Sequence, residues 1–156
     1  MEVILNWKGK MAFSGVSDSG FQQNMDSDES VGGENRAGRP MEFIAMGLAG
    51  CTGMDVISIL RKKQQAVSDF QVKVHVERAS EHPKVFTQAV IEYLVTGKNL
   101  DETAIVRAIS LSAEKYCPAQ AMLSKAFPMK LVYKIYDNST LALIKQGEYK
   151  MKEATN

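Results

Sequence analysis

Apolar and polar positions change period several times along the chain, and each change marks an element. Residues 1–25 alternate, with turn residues at Lys8-Gly9-Lys10 and Ser17-Asp18-Ser19-Gly20. That pattern predicts three short antiparallel strands over 2–7, 10–15 and 20–25. The alternation stops at "DSDESVGGENRAGRP", residues 26–40, a polar, glycine-rich loop long enough to suggest a functional segment. From Pro40 to about Gln65 the pattern is apolar almost all round, which predicts a long helix, central and buried. Pro40 suits an early helical position, Glu42 the positive end of the helix dipole, and Arg61, Lys62 and Lys63 the negative end.

Strict alternation resumes in "FQVKVHVER", residues 70–78, with Val72, Val74 and Val76 facing inward. A second strand, "VFTQAVIEYLV", follows over 85–95, with Val85, Ala89, Ile91, Tyr93 and Val95 on its buried side. Asp101 is a good N-cap for a second helix, Leu100 and Ile105 form a hydrophobic staple, and Ile105, Ile109 and Tyr116 mark the inner face. Cys117-Pro118 breaks this helix, a short helix follows to about Ala126, and "MKLVYKIYD", 129–137, is the last strand. Residues 138–156 read as a C-terminal tail, with Leu141–Ile144 in a loosely attached helix, so residues 1–137 form the domain. Strands first, then a long helix, then a β-β-α-α-β run, give an α+β class.

Composition narrows the picture. In 156 residues, 19 Lys and Arg face 18 Asp and Glu, which gives no electrostatic case for nucleic acid or an anionic membrane. The run Phe43 to Met54 is short for a bilayer span. An acid stands at position 2, where a secretory signal carries basic residues, so a cytoplasmic location is expected. Two cysteines are too few for a disulfide framework or a four-ligand zinc site. Neither His75 nor His82 has metal-ligand spacing to a cysteine, so no metal or other cofactor is expected. In a reducing compartment a cysteine pair is redox-active or inert rather than structural.

The candidate chemistry centres on "MGLAGCTGMD", residues 46–55. Cys51 in mid-helix is either inert core filling or a nucleophile that needs a cation from elsewhere. Gly47, Gly50 and Gly53 suit the close approach of another helix, across a dimer. Cys117, just before Pro118, suits a helix N-cap, where the dipole favours a thiolate. Asp55 lies one turn from Cys51 on the same face, as a structural carboxylate or a supporting group. Glu42 is nine residues before Cys51, about 13.5 Å of rise and half a turn away, so on one straight helix the two do not touch. Glu42 is then a first-turn dipole partner or a site acid acting from another chain. Arg36 and Arg39 are solvated loop charges or the cation for a thiolate.

The stretches "RPMEFIAMGLAGCTGMDVISIL" and "YCPAQAM" resemble the OsmC/Ohr family, osmotically inducible protein C and the organic hydroperoxide resistance proteins. In that family a proline opens a buried central helix, a cysteine follows eleven residues later, and a Cys-Pro begins a later helix. Pro40, Cys51 and Cys117-Pro118 stand at those positions. The resemblance implies an OsmC-like fold, antiparallel sheets around a long buried central helix, in an intertwined homodimer with sites at the subunit interface. It also implies a metal-free, haem-free thiol peroxidase acting on hydrophobic organic hydroperoxides and reduced by a lipoyl-type dithiol. On that reading Cys51 attacks the peroxide, Cys117 resolves the sulfenic acid, and Glu42 completes the site, with Arg36, Arg39 and Asp55 as supporting candidates. The sequence departs from the peroxidase pattern in two places. Met41 stands where a glutamate directly follows the proline, and the strands before residue 26 carry no arginine. Both departures put the chain on a divergent OsmC-like branch. The alternative function is a non-catalytic dimer that binds a small apolar or thiol ligand, or another thiol redox or sensing role.

Overall fold

The computed structural model describes residues 1–151, which fall into two units, Met1–Ala45 and the residues from Met46 onward. In the first, β1 (Val3–Trp7), β2 (Phe13–Ser17) and β3 (Gln22–Met25) form an antiparallel sheet in that order. Strand β2 starts later than predicted because the first hairpin loop spans five residues, Trp7 pairing with Phe13. Gly9 and Lys10 turn that loop at φ 100° and 46°, and the Trp7 indole N–H donates to the Lys10 carbonyl at 2.8 Å.

The polar loop that follows is organised by one carboxylate. Asp26 is buried and accepts the backbone N–H groups of Ser27 at 2.7 Å, and of Glu34 and Arg36 at 3.1 Å each. A single 3₁₀ turn, Glu29–Val31, is capped by the Asp28 side chain. The loop has its own hydrogen-bonded frame, as its length required.

Helix α1 (Pro40–Lys62) begins in the first unit and continues into the second. Its fully buried residues are Leu48, Thr52, Val56 and Leu60, one stripe at four-residue spacing. Burying each of the three apolar ones contributes about 1.5–3 kcal/mol. The expectation of a helix buried all round is not met within the chain. An 18-residue window has mean hydropathy 1.8 yet is only 22% buried, and Met46 and Met54 are exposed. The sequence lacks a polar face on this helix, but one layer of neighbours covers only one stripe.

The second unit contains a sheet in the order β4-β5-β6-β7, from β4 (Ala66–Arg78), β5 (Phe86–Lys98), β6 (Met129–Asp137) and β7 (Leu143–Tyr149). Between β5 and β6 run α2 (Glu102–Leu111), a π turn (Ser112–Tyr116) and α3 (Pro118–Leu123). Strands β4 and β5 form an antiparallel hairpin, and the valines at 72, 74 and 76 are half-buried as their alternation predicts. The α+β class holds, with one correction to its sheets. Strands β5 and β6 pair in parallel, because the helical crossover returns the chain to the edge of β5 in the same direction.

Three other expectations are corrected by local geometry. Val85 is exposed and Phe86 is buried in its place. Glu77 pairs with Gln88 and Arg78 with Phe86, and this bulge reverses which side faces the core. Tyr116 is half-exposed, whereas Ile105 and Ile109 are buried. The π turn bonds the Cys117 N–H to the Ser112 carbonyl at 2.9 Å, which advances the phase and turns Cys117 inward instead. The predicted tail helix is a strand, since β7 pairs antiparallel with β6. Gly147 lies so close to the Tyr133 hydroxyl that no side chain fits there. Lys145 and the Tyr133 hydroxyl both bond Glu102, at 2.7 and 2.8 Å, and tie the sheet to α2. The last predicted tail residues, 152–156, lie outside the described residues.

The core of this unit joins Leu48, Val56 and Leu60 of α1 to Ile91, Tyr93 and Val95 of β5, Ile105 and Ile109 of α2, and Leu131 and Ile135 of β6. Gly53 packs against the Val72 side chain of β4, so its close approach is to a strand and not to a helix. Gly47 and Gly50 face open space within the chain.

Candidate active site

The long apolar helix and the helix-breaking proline bring the two cysteines together. Cys51 is half-buried on α1, Cys117 is buried at 2% exposure, and both are free thiols. Cys51 is a near enough neighbour of Cys117 to raise its pKa directly. Cys117 is the N-cap of α3 in extended conformation, as its place before Pro118 predicts, and its sulfur accepts the Gln120 backbone N–H at 3.4 Å.

The pull of the helix end toward a thiolate does not prevail at Cys117. Its thiol is pushed up to about 12, first by burial and then by the contact with Cys51, against the lowering effect of the Gln120 N–H. The Asp55 carboxylate pushes in the same upward direction. Helix α3 is only six residues long, and one N–H does not offset the loss of water. Cys117 therefore keeps its proton at neutral pH. The arrangement offers one half-buried sulfur and a second, protonated and buried, as its neighbour.

Around the thiols runs a chain of hydroxyls. The Tyr93 hydroxyl lies 2.7 Å from Thr52 Oγ1, which lies 2.9 Å from Ser112 Oγ, and Ser112 donates to Asp55 Oδ2 at 3.1 Å. Tyr93, Thr52 and Ser112 are completely buried and Asp55 is half-buried. Burial drives the Tyr93 phenol well above its usual range, so it remains a donor. With Asp55 accepting at one end and Tyr93 donating at the other, every intermediate hydroxyl donates toward Asp55. That carboxylate also lines a surface cleft of about 360 Å³ with Ile59, Lys62, Lys63, Leu111 and Tyr116.

Sequence reasoning identified Cys51, Cys117 and Asp55 but missed Thr52, Ser112, Tyr93 and Gln120. A signal existed for Thr52, a hydroxyl at i+4 from Leu48 and i−4 from Val56 on the buried stripe, where a polar group needs a partner. The Gln120 side chain is completely buried, and neither its amide nitrogen nor its oxygen has a hydrogen-bond partner among the described residues. Such a group costs about 1–3 kcal/mol, an outlay characteristic of functional sites.

The other candidates stand in the first unit. Glu42 accepts the Arg39 backbone N–H at 2.9 Å, the return half of a capping box, and meets the Arg39 guanidinium at 3.4 Å. Arg39 also bonds Asp28 at 2.9 Å and Asn35 at 3.0 Å. Arg36 pairs with Glu34 at 3.1 Å. The structure thus brings Cys51, Cys117 and Asp55 together in one unit, and Arg39 and Glu42 together in the other.

An α+β chain whose long apolar helix and later Cys-Pro turn present two neighbouring free thiols defines a paired-thiol class. Comparison with known proteins makes that class specific. Residues 33–132, which include both cysteines, match the model of the OsmC-like protein family, and the chain belongs to that family. It is 39% identical to protein YhfA of Escherichia coli K12 over 135 residues, 86% of this chain and 98% of that protein. A hypothetical protein from Aquifex aeolicus VF5 has a similar structure, with TM-score 0.77 and 30% identity over 88% of this chain and 97% of that one. The fold is shared with an organic hydroperoxide resistance protein OsmC from Legionella pneumophila, TM-score 0.61 and 16% identity over 86% of this chain and 96% of that chain.

Proposed function

We propose that this OsmC-like protein is a cysteine-dependent peroxidase that reduces organic hydroperoxides in the cytoplasm, working as a homodimer. The observation that carries this reading is the pairing of a half-buried Cys51 with a neighbouring buried, protonated Cys117. The Cys51 thiolate attacks the outer peroxide oxygen. The O–O bond breaks, sulfur is oxidised to sulfenic acid, and the alkoxide leaves as an alcohol after taking a proton. Cys117 then attacks the sulfenic sulfur, its own proton leaves with the hydroxyl as water, and a disulfide closes. A lipoyl-type dithiol restores both thiols by exchange. The position of Cys117 beside Cys51 favours rapid resolution before over-oxidation.

Two further observations support the reading. The Arg39–Glu42 pair at the start of α1 sets a guanidinium beside a carboxylate, with the partners from the loop and the first helical turn. The exposed apolar positions Met46 and Met54, with the open Gly47 and Gly50, suit burial of α1 against a second copy. The test is consumption of cumene hydroperoxide with dihydrolipoamide as reductant. The wild type turns over, and Cys51→Ser loses at least about a thousandfold in kcat/KM, as removal of a covalent nucleophile does. No turnover by a folded wild type overturns the peroxidase reading.

A further inference from the structure

The hydroxyl chain beside the thiols has a geometry that simple packing does not require. Thr52 follows Cys51 on α1, and its hydroxyl reaches both Tyr93 of β5 and Ser112 of the π turn. Ser112 is engaged twice. Its side chain bonds Thr52 and Asp55 on α1, and its backbone carbonyl receives the Cys117 N–H at 2.9 Å. One residue therefore couples the cysteine of the π turn to the helix that carries the other cysteine. The turn itself is a π turn, a geometry concentrated at functional sites.

We infer that Asp55 and Ser112 are positioning residues that lock the π turn onto α1, with Thr52 and Tyr93 completing the lock, and so keep Cys117 beside Cys51. Asp55 is the charged anchor. Removing it leaves Ser112 with a weaker acceptor, and removing Ser112 leaves a buried Thr52 hydroxyl one partner short and a carboxylate without its donor. The same carboxylate adds to the upward push on the Cys117 thiol, behind burial and Cys51. The titratable and charged groups that face Asp55 are Cys51 one turn back on α1, Cys117, Tyr93 on β5, and Lys62, Lys63 and Tyr116 around the cleft.

The inference rests on the thiol pair being the working centre proposed above, but its test needs no peroxide. Diamide, a neutral azo compound, takes two hydrogens from a thiol pair and leaves a disulfide. The rate of Cys51–Cys117 closure by diamide is measured against pH in the wild type, Ser112→Ala, Ser112→Thr and Asp55→Asn. Ser112→Ala is expected to close about tenfold more slowly at every pH, the loss typical of a coupled polar network, and Ser112→Thr to recover most of that rate. Asp55→Asn keeps an acceptor for Ser112 and removes only the charge. Its profile is expected to move toward lower pH while the maximal rate is largely kept. Wild-type rates and profiles in both Ser112→Ala and Asp55→Asn overturn the inference. If Ser112→Ala fails to fold, the half-buried and isosteric Asp55→Asn decides it through the profile. A wild type that closes with diamide but ignores cumene hydroperoxide rejects the peroxidase and leaves the positioning role standing. A folded wild type that does not close at all rejects both.

Discussion

Cys117 illustrates how two residue-level rules compete. Its place before a proline makes it an N-cap, and the cap hydrogen bond forms at 3.4 Å. Burial acts the other way and wins, and the thiol moves from its ordinary 9.0 up to about 12. The sign of the linkage follows from that direction. The folded state binds the Cys117 proton more tightly than the unfolded chain, so this stabilisation is fully present below about pH 9 and is lost as pH rises toward about 12. At pH 8 iodoacetamide is expected to label Cys51 well before Cys117, with peptide mapping as the readout; Cys117 labelled first contradicts the assignment. The cap was legible in the sequence because it depends on two adjacent residues. The protonation was not, because it depends on α1 and on what excludes water around a residue far along the chain.

At the scale of elements, Asp26 does for the first unit what Ser112 does for the second. The glycine-rich loop read as irregular, and it is held by three backbone N–H groups converging on one buried carboxylate. Those donors hold Asp26 below the usual carboxylate range, the Ser27 and Arg36 N–H groups most strongly. Its contribution is present above the ordinary carboxylate pKa and is lost as pH falls through the lowered folded value. In Asp26→Ala the amides of Ser27, Glu34 and Arg36 are expected to lose protection in hydrogen exchange while those of β5 keep it; unchanged loop amides would show that another contact frames the loop. Element type and order were readable for β1 to β6 and the helices, since period and capping are local signals. The bulge that exchanges Val85 for Phe86, the π turn that rotates Tyr116 outward, and the strand formed by 143–149 were not. Each depends on register against a neighbour, in the last case on the exposed edge of β6.

The whole molecule carries an imbalance that the sequence had already signalled. Helix α1 is apolar around its circumference, yet within one chain it buries a single stripe. The cysteine, the threonine of the hydroxyl chain and Asp55 all stand on this helix, so the scaffold that a second copy would cover is also the scaffold of the site. The chain belongs to the OsmC-like family, and its fold is shared with a protein named for organic hydroperoxide resistance. Within that frame this chain carries Cys51 and Cys117, and its Glu42 pairs with Arg39 of the loop. The measurement that tests the central claim most directly is one equivalent of cumene hydroperoxide added to the reduced protein, with intact mass and peptide mapping of the product. The account predicts stoichiometric loss of two hydrogens in a Cys51–Cys117 disulfide, with Cys51→Ser unchanged by the peroxide. Two thiols that remain reduced in a folded wild type would contradict it.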